Sequence, residues 1–237
     1  MYNERKTIEE ILWRVQQIDL DKEIVLVDDG STDGTREFLE SVARATGNGR
    51  TLTLPSTGRP LPVGNVRVLF QPVNAGKGAA LRRGFQEARG DVIIVQDADL
   101  EYDPREYHRL LEPIDMGVAD VVYGSRFMGG GPHRVLLYWH SVGNKLLTML
   151  SNVLTNLNLT DVWTCYKAFR REVLHELPLR ENRFGFEAEI TARIARKDCR
   201  VYEVPISYWG RSYSEGKKIG WRDGVSGAWC TIRYNLF

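Results

Sequence analysis

The sequence predicts an α/β fold in which a mostly parallel sheet is flanked by helices. Short apolar runs rich in β-branched residues, typical of strands buried on both faces, alternate along the chain with stretches of helical periodicity. An acidic cluster directly follows two of these runs, at 28–29 and at 97–103. Because ligands bind beyond the carboxyl ends of parallel strands, both clusters are expected to face one crevice.

The elements are predicted in chain order from this alternation. Apolar residues from Ile8 to Ile18 recur at helical spacing, and 24–27 is a continuous apolar run. The remaining predicted elements are strands at 66–70, 92–95 and 121–123, with helices at 77–88 and 104–116. Strands separated by helices predict parallel pairing.

The 237 residues are expected to form one domain, with three segments outside this alternation. Residues 46–65 are rich in Gly, Pro, Ser and Thr and are predicted to be a surface insertion. Residues 134–159 are predicted to be an amphipathic helical segment. It could rest on a bilayer, but Lys145 is its only Lys or Arg between Val135 and Leu157, which favours packing against the domain. Residues 221–237 are predicted to be a C-terminal helix, either packed or a peripheral anchor.

Charge and cysteine content argue against several classes of partner and site. Lys plus Arg (32) nearly equals Asp plus Glu (31), so the chain lacks the strong positive charge that would indicate binding to nucleic acid. The three cysteines have no CxxC spacing, which argues against a disulfide framework or a zinc site and fits a reducing, cytoplasmic setting. No run approaches the roughly 18 apolar residues of a spanning helix. A cytoplasmic protein is expected, with peripheral contact at the inner face of a membrane, or a membrane-bound partner, left open.

The second acidic cluster has the chemistry of a divalent metal site. Asp97, Asp99 and Glu101 alternate, so they share one side of an extended chain. Mg2+ and Mn2+ take carboxylate oxygens together with substrate phosphates and act as Lewis acids on a leaving diphosphate. The alternative is a solvated acidic turn that caps the helix near Pro104.

The first cluster matches the spacing of an EF-hand calcium loop that begins at Asp29 and ends at Glu40. A calcium loop follows a helix, whereas IVLV is typical of a strand, so recognition of a base N–H or a ribose hydroxyl is favoured. Farther on, NAGKG at 74–78 predicts a tight glycine turn that opens a helix, with Lys77 near bound phosphate.

Six motifs, taken together and in order, resemble those of family 2 glycosyltransferases with the GT-A fold, and most closely the dolichyl-phosphate and polyprenyl-phosphate sugar synthases. They are YNE at 2–4, VDDGSTDGT at 27–35, NAGKGAALRRGF at 74–85, DADLEYDP at 97–104, YGSR at 123–126 and TDVWTCYKAFR at 160–170. The resemblance covers nearly the whole chain apart from 46–65. It implies a GT-A-like domain with a Rossmann-like nucleotide-binding half.

The resemblance also implies a role for individual motif residues. Those implied to bind the nucleotide are Tyr2, Asn3, Glu4, Asp28, Asp29, Lys77 and Asp97. Those implied to hold Mg2+ or Mn2+ are Asp97, Asp99 and Glu101. Basic residues expected around the phosphates are Arg126, Arg211 and Lys217. Catalysis is expected to depend on Asp99, Arg126 and Arg211, together with Asp161, which is nominated as the base for a hydroxyl acceptor.

The implied reaction is inverting transfer of one hexose from a nucleotide-diphosphate sugar, of the UDP-glucose or GDP-mannose type, to a polyprenyl or dolichyl phosphate. A lipid phosphate is already ionised at neutral pH, so positioning and charge neutralisation suffice. A saccharide or other hydroxyl acceptor is the alternative and would need a carboxylate base. A calcium- or glycan-binding module without turnover is the non-enzymatic alternative. The QxxRW string of processive relatives is absent, which favours a single transfer.

The chain departs from the family pattern at its N-terminus, where a buried first strand normally precedes the YNE segment. That strand would lie centrally in the sheet, so the neighbouring strands are expected to have unpaired edges. An N-terminal extension of roughly ten residues, a typical strand with its lead-in, is expected to raise the melting temperature. Equal melting temperatures for the two forms would contradict this expectation.

Overall fold

Strands and helices alternate along the chain, as the sequence predicts. The computed structural model describes residues 1–47, 51–129, 134–135, 138–211 and 221–237, with the side chains of 221 and 222 excepted. The helices are α1 (Ile8–Gln16), α2 (Thr35–Gly47), α3 (Lys77–Glu87), α4 (Tyr107–Asp115, preceded by a 3-10 turn at Pro104–Glu106), α5 (Tyr138–Thr155), α6 (Arg171–His175), α7 (Phe186–Ala195) and α8 (Trp221–Leu236). The strands are β1 (Ile24–Asp28), β2 (Thr51–Thr53), β3 (Pro60–Pro62), β4 (Val66–Phe70), β5 (Val92–Ile94), β6 (Val121–Ser125), β7 (Lys167–Arg170) and β8 (Val201–Pro205).

The main strands form two sheets that contain the expected parallel pairs. β1 and β4 pair in parallel, with Ile24 opposite Val66. The second sheet has the order β5-β7-β6-β8, and its β6 and β8 are also parallel. Strand β7 is antiparallel to both of its neighbours. Hydrophobic periodicity identifies a strand but not its direction, so this reversal could not be predicted from the sequence pattern.

A slot separates the two sheets between β1 and β5. Within the described residues, β1 pairs only with β4 and β5 pairs only with β7, so each has one free edge. Apolar residues of both strands, at 24–27 and 92–95, line one cavity of about 1750 Å³. The same cavity reaches the acidic residues that follow the two strands, including Asp29 and Asp97.

Most of residues 51–65, in the predicted surface insertion, are exposed, but three of them also contribute to the core. Helix α2 runs through Gly47, residues 48–50 lie outside the described part, and β2 and β3 form an antiparallel hairpin. Leu54, Leu61 and Val63 are buried in the same cluster as residues of α1 and α2. The segment is too short and too rich in turn residues for its apolar positions to show a period.

The segment predicted at 134–159 is helical over Tyr138–Thr155 and packs against other helices of the domain, but many of the apolar side chains on its predicted face are exposed. Trp139 is 77% exposed, Met149 58% and Val153 76%. Helix α5 instead buries two small polar residues, Thr148 and Ser151, and packs against α8 and α7. No helix in the described part of the chain is long and apolar enough to cross a membrane.

Candidate active site

The carboxyl ends of β1 and β5 bring the two acidic clusters to one cavity. The residues expected to be functional that line it are Tyr2, Glu4, Asp29, Lys77, Asp97, Asp99, Glu101, Arg126 and Arg211. Three others belong to the described part but do not line the cavity: Asn3, Asp28 and Asp161. Lys217 lies outside the described residues.

The carboxylates of the first cluster hold the backbone around the cavity. Asp29 accepts hydrogen bonds from the backbone N–H groups of Ala75 and Gly76, both at 2.8 Å, and from the Gln71 amide at 2.6 Å. Asp28 is fully buried and accepts from the Ser31 N–H, with Arg36 at 3.4 Å. Both carboxylate oxygens of Asp29 accept hydrogen bonds from N–H groups, and a strand precedes this residue. The geometry therefore does not match that of a calcium-binding loop.

Asn3 links the first residues of the chain to the loop after β1. Its side-chain oxygen accepts from the Thr32 N–H at 2.8 Å, and its own N–H donates to the Ser31 hydroxyl at 3.0 Å. The Asp29 N–H donates to the Met1 carbonyl at 2.8 Å. These bonds hold residues 1–4 beside the cavity, where Tyr2 and Glu4 form part of its wall.

The glycine turn at 74–78 brings the start of α3 close to the segment before α7. Gly76 has a φ of 100°, which favours glycine. A Cβ at either Gly76 or Gly78 would collide with a backbone carbonyl, that of Asn182 or Glu181. The two glycines therefore permit a close approach that places Lys77 inside the cavity.

The ammonium group of Lys77 contacts side chains from three separate parts of the chain. Its Nζ lies 3.4 Å from Asp97 Oδ2, 3.0 Å from Glu187 Oε1 and 2.6 Å from Cys165 Sγ. Burial alone would lower the pKa of Lys77, but Asp97, Cys165 and Glu187 outweigh it and hold the pKa well above its ordinary value. Burial also raises the pKa of the Cys165 thiol, with Asp97 adding to the effect. Lys77 is therefore a permanent cation beside Asp97.

The carboxylates of the second cluster have separate partners. Asp99 Oδ2 accepts from Arg211 at 2.7 Å, while Glu101 accepts from the Arg211 Nε at 3.0 Å and from the Tyr208 hydroxyl at 2.8 Å. Among the described residues, no three His, Cys, Asp or Glu side chains are grouped to hold a metal. Arg211 thus pairs with two carboxylates of the cluster, and its guanidinium also lies 3.9 Å from Glu4 Oε2. Glu101 thus acts as an anchor for the segment at 208–211.

Arg126 is fixed in the cavity wall by Asp161. Its Nε donates to Asp161 Oδ2 at 2.6 Å and its second nitrogen donates to Oδ1 at 2.8 Å, while its guanidinium lies 5.0 Å from the Tyr208 ring centroid. Asp161 is fully buried, and Asn144 of α5 also reaches its Oδ1 at 3.5 Å. With both oxygens directed at Arg126, the geometry is that of a positioning residue, and does not support Asp161 as a general base.

Glu187 and Tyr208 also form part of this cavity, and no motif predicted them. Tyr208 connects the two arginine sites, since its ring contacts Arg126 and its hydroxyl donates to Glu101. Glu187 has one sequence signal, an acidic residue in the first turn of a helix. Glu189 in the same turn has the same signal, yet it binds the backbone N–H groups of residues 180 and 181.

Comparison with known proteins identifies the family. The model of the family described as glycosyl transferase family 2 matches residues 1–178. The chain belongs to glycosyl transferase family 2. It is therefore a glycosyltransferase, which decides against the binding module without turnover.

Several curated proteins are similar to this glycosyltransferase over most of its length. Polyprenol monophosphomannose synthase of Mycolicibacterium smegmatis is 32% identical over 92% of this chain and 78% of its own. Undecaprenyl-phosphate mannosyltransferase of Micrococcus luteus is 30% identical over 92% of this chain and 85% of its own. Dolichol-phosphate mannosyltransferase of Pyrococcus furiosus is 31% identical over 92% of this chain, which spans 57% of that protein.

Solved structures establish the fold. Glucosyl-3-phosphoglycerate synthase of Mycobacterium tuberculosis, in complex with Mn2+, UDP-glucose and phosphoglyceric acid, matches with a TM-score of 0.68 and 21% identity, over 99% of this chain and 77% of that one. The same enzyme in complex with phosphoglyceric acid matches with a TM-score of 0.66 and 19% identity, over 99% and 77% of the two chains. The family 2 glycosyltransferase described here thus has the expected GT-A-like α/β fold.

Removing the carboxylate of Asp161 should strongly destabilise the protein. Asp161→Ala leaves Arg126 in the cavity wall without its partner, and breaking a buried pair from one side costs about 3–5 kcal/mol. Glu176→Ala is the matched control, because Glu176 pairs with Lys197 at 2.6 Å and both side chains are exposed, at 66% and 38%. An exposed pair contributes about 1 kcal/mol or less. Urea unfolding measures both; equal losses would contradict a positioning role for Asp161.

Proposed function

We propose that this glycosyltransferase transfers a single hexose, with inversion, from a nucleotide-diphosphate sugar to a polyprenyl or dolichyl phosphate. The donor is of the UDP-glucose or GDP-mannose type. The observation that carries the proposal is the charge arrangement of the cavity: Asp97 and Asp99 lie on one wall, and Lys77, Arg126 and Arg211 are within the same space. The curated relatives support it, since their names describe transfer of mannose to polyprenyl-type phosphates.

The second acidic cluster fits a divalent cation that arrives with the donor diphosphate. A cation of this kind is commonly bound through one or two protein carboxylates and the substrate phosphates, so a group of three is not required. Asp99 and Asp97 would hold it, and burial, with Asp97 and Glu101 adding to it, raises the pKa of Asp99 to about 7. Such a shift is typical of carboxylates that lack sufficient positive charge. When bound, Mg2+ or Mn2+ would act as a Lewis acid on the leaving diphosphate.

The protein's own residues would position two phosphate groups. Arg126 is held rigid by Asp161 and Tyr208, so it can neutralise an anionic acceptor without reorganising. Lys77 is a permanent cation next to Asp97 and would lie near the donor phosphates. An ionised lipid phosphate would attack the anomeric carbon without a protein base. This agrees with the position of Asp161, whose two oxygens both accept hydrogen bonds from Arg126. The requirement is geometric: both charged substrates must be held in line.

A transfer assay tests the proposal. The protein is incubated with Mn2+ or Mg2+, polyprenyl phosphate, and either UDP-glucose or GDP-mannose, and the lipid product is analysed by mass spectrometry. One donor should give a polyprenyl monophosphate that carries one hexose. Arg126→Lys keeps the charge but cannot make the two-pronged bond to Asp161, so it should lower turnover by about tenfold or more. Absence of a hexosylated lipid with both donors and both metals would refute the proposal.

Binding of the cation should depend on pH through Asp99. A proton competes with the cation for this carboxylate, so affinity should rise about tenfold per pH unit from about pH 5.5 to pH 7 and level off above it. Calorimetric titration of Mn2+ in the presence of the nucleoside diphosphate measures the profile. Asp99→Asn should weaken binding and flatten the slope. A wild-type affinity that is constant across this range would contradict the assignment of Asp99 as a ligand.

The apolar faces of α5 and α8 would bring this cavity to a bilayer. Trp139, Leu146 and Val225 are exposed and also line the cavity, and Trp229 lies one turn beyond Val225 on α8. The two helices pack against each other, so their exposed apolar side chains form one platform at the cavity rim. Tryptophan is favoured at membrane–water interfaces. A lipid phosphate is presented at such an interface, and we therefore propose that the platform contacts it peripherally.

Placing a charge on this platform should affect lipid substrates selectively. Met149→Glu should reduce transfer to polyprenyl phosphate in vesicles several-fold, because a carboxylate opposes entry of the apolar face into the interface. Transfer to a water-soluble, short-chain prenyl phosphate should be unchanged. Met116→Glu is the matched control, since Met116 is 68% exposed at the end of α4, away from the platform. Equal effects of Met149→Glu on both acceptors would contradict membrane contact.

A further inference from the structure

A row of three polar side chains crosses the second sheet next to the loop at 160–165, which carries Asp161. Lys167 of β7 and Glu203 of β8 both lie opposite Tyr123 of β6 in the strand register. Residues directly opposite each other in adjacent strands point to the same face of a sheet. The Lys167 ammonium accordingly lies 4.9 Å from the centroid of the Tyr123 ring. The two charged side chains therefore reach the loop from one face of the sheet.

Glu203 binds the backbone at the start of this loop. Its carboxylate accepts hydrogen bonds from the N–H groups of Thr160, at 2.9 Å, and Asp161, at 3.0 Å. Hydrogen bonds to an ionised group are stronger than those between neutral groups. The Thr160 hydroxyl also shares a hydrogen bond of 2.5 Å with the hydroxyl of Ser125, the residue before Arg126. The start of the loop is thus joined to β8 by Glu203 and to the end of β6 by Thr160.

Lys167 binds the same loop through carbonyl groups. Its ammonium donates to the carbonyl of Val162 at 3.2 Å and to that of Thr164. The side chain is only 2% exposed, and this burial lowers the pKa of Lys167 to about 8. A buried ammonium costs free energy unless it is hydrogen-bonded. The loop supplies the acceptors that this cation needs, and the cation fixes the loop in return.

The loop determines the orientation of Arg126 through Asp161. Both oxygens of Asp161 accept hydrogen bonds from the Arg126 guanidinium, at 2.6 and 2.8 Å, and Asp161 is fully buried. Because the Asp161 backbone is held by Glu203, this carboxylate has little freedom to turn. A shift of the loop would therefore move the guanidinium in the cavity wall. A misplacement of about 1 Å at a reacting group can cost about 100-fold in rate.

We propose that Glu203 and Lys167 are positioning residues that orient Arg126 toward the acceptor phosphate. They act through the loop at 160–165 and through Asp161. The part that concerns the acceptor rests on the proposed function, because it takes the ligand of Arg126 to be a lipid phosphate. The orientation of the guanidinium does not depend on that assumption and can be measured by itself.

Nuclear magnetic resonance of the protein without ligands tests the orientation. The Nε–H of Arg126 donates to Asp161 at 2.6 Å, so its proton should exchange slowly with water, and Arg126→Lys assigns its signal by removing it. Glu203→Ala should raise this exchange rate about tenfold or more, because the loop loses its acceptor. Glu203→Gln should have a smaller effect, since one oxygen at the position of Oε1 can still accept from both N–H groups. Lys167→Met should raise the rate as Glu203→Ala does.

Asp120→Ala is the matched control for a general loss of stability. Asp120 is also a carboxylate that accepts a hydrogen bond from a backbone N–H, that of Arg200 at 2.8 Å. It lies at the other end of β6 and β8, so its removal should lower stability but leave exchange at Arg126 unchanged. An equal rise of the exchange rate in Asp120→Ala and Glu203→Ala would overturn the positioning role. Wild-type exchange in Glu203→Ala or in Lys167→Met would overturn the role of the residue concerned.

Steady-state kinetics provides the second measurement. In Glu203→Ala the KM for polyprenyl phosphate should rise about tenfold, while the dissociation constant of the nucleoside diphosphate with Mn2+ should stay within about twofold. Faster exchange at Arg126 with an unchanged KM for the lipid would overturn the link to the acceptor. If exchange is faster in the variants but the wild-type protein transfers no hexose to polyprenyl phosphate, the positioning role stands and the proposed acceptor is wrong.

Discussion

The site depends on neutralising carboxylates at the ends of two strands. Asp97 and Asp99 are held where solvent cannot fully stabilise them, and Lys77 and Arg211 supply the compensating charge. These cations come from different parts of the chain: Lys77 from the start of α3 and Arg211 from the segment after β8. Because removing either cation would leave buried negative charge, the requirement for neutrality ties both segments to the acidic cluster.

Several of the acidic side chains expected at the site hold other parts of the protein in place. Asp29 fixes the glycine turn, Asp161 fixes Arg126, and Glu101 fixes the segment at 208–211. Each is an acidic residue whose hydrogen bonds go to protein donors. The result is a rigid frame in which a few groups, Arg126 and Lys77 among them, are positioned before any substrate arrives. Preorganisation of this kind is what charge stabilisation in catalysis requires.

The sequence predicted the features that depend on local pattern. Apolar runs located β1, β4, β5 and β6, and alternation in DADLE identified the acidic cluster, since both depend on near neighbours in the chain. Contacts between segments that are far apart in the chain leave no such local pattern in the sequence. Glu187 contacts Lys77 although the two residues are 110 positions apart in the chain, and only the fold brings α7 to α3. Similarly, helical periodicity showed that α5 has an apolar face but not what that face contacts. The helix packs against α7 and α8, while Trp139, Met149 and Val153 of that face are exposed.

The ion pair between Arg211 and Asp99 has an energetic consequence for whatever cation enters. Arg211 donates to Oδ2 of Asp99 at 2.7 Å, so a cation that binds through this oxygen would compete with the guanidinium. The affinity for that cation would then be reduced according to the fraction of molecules in which Arg211 has withdrawn. A ligand that also attracts Arg211 through its own negative charge relieves this handicap. Cation and anionic ligand should thus load cooperatively, each improving the retention of the other.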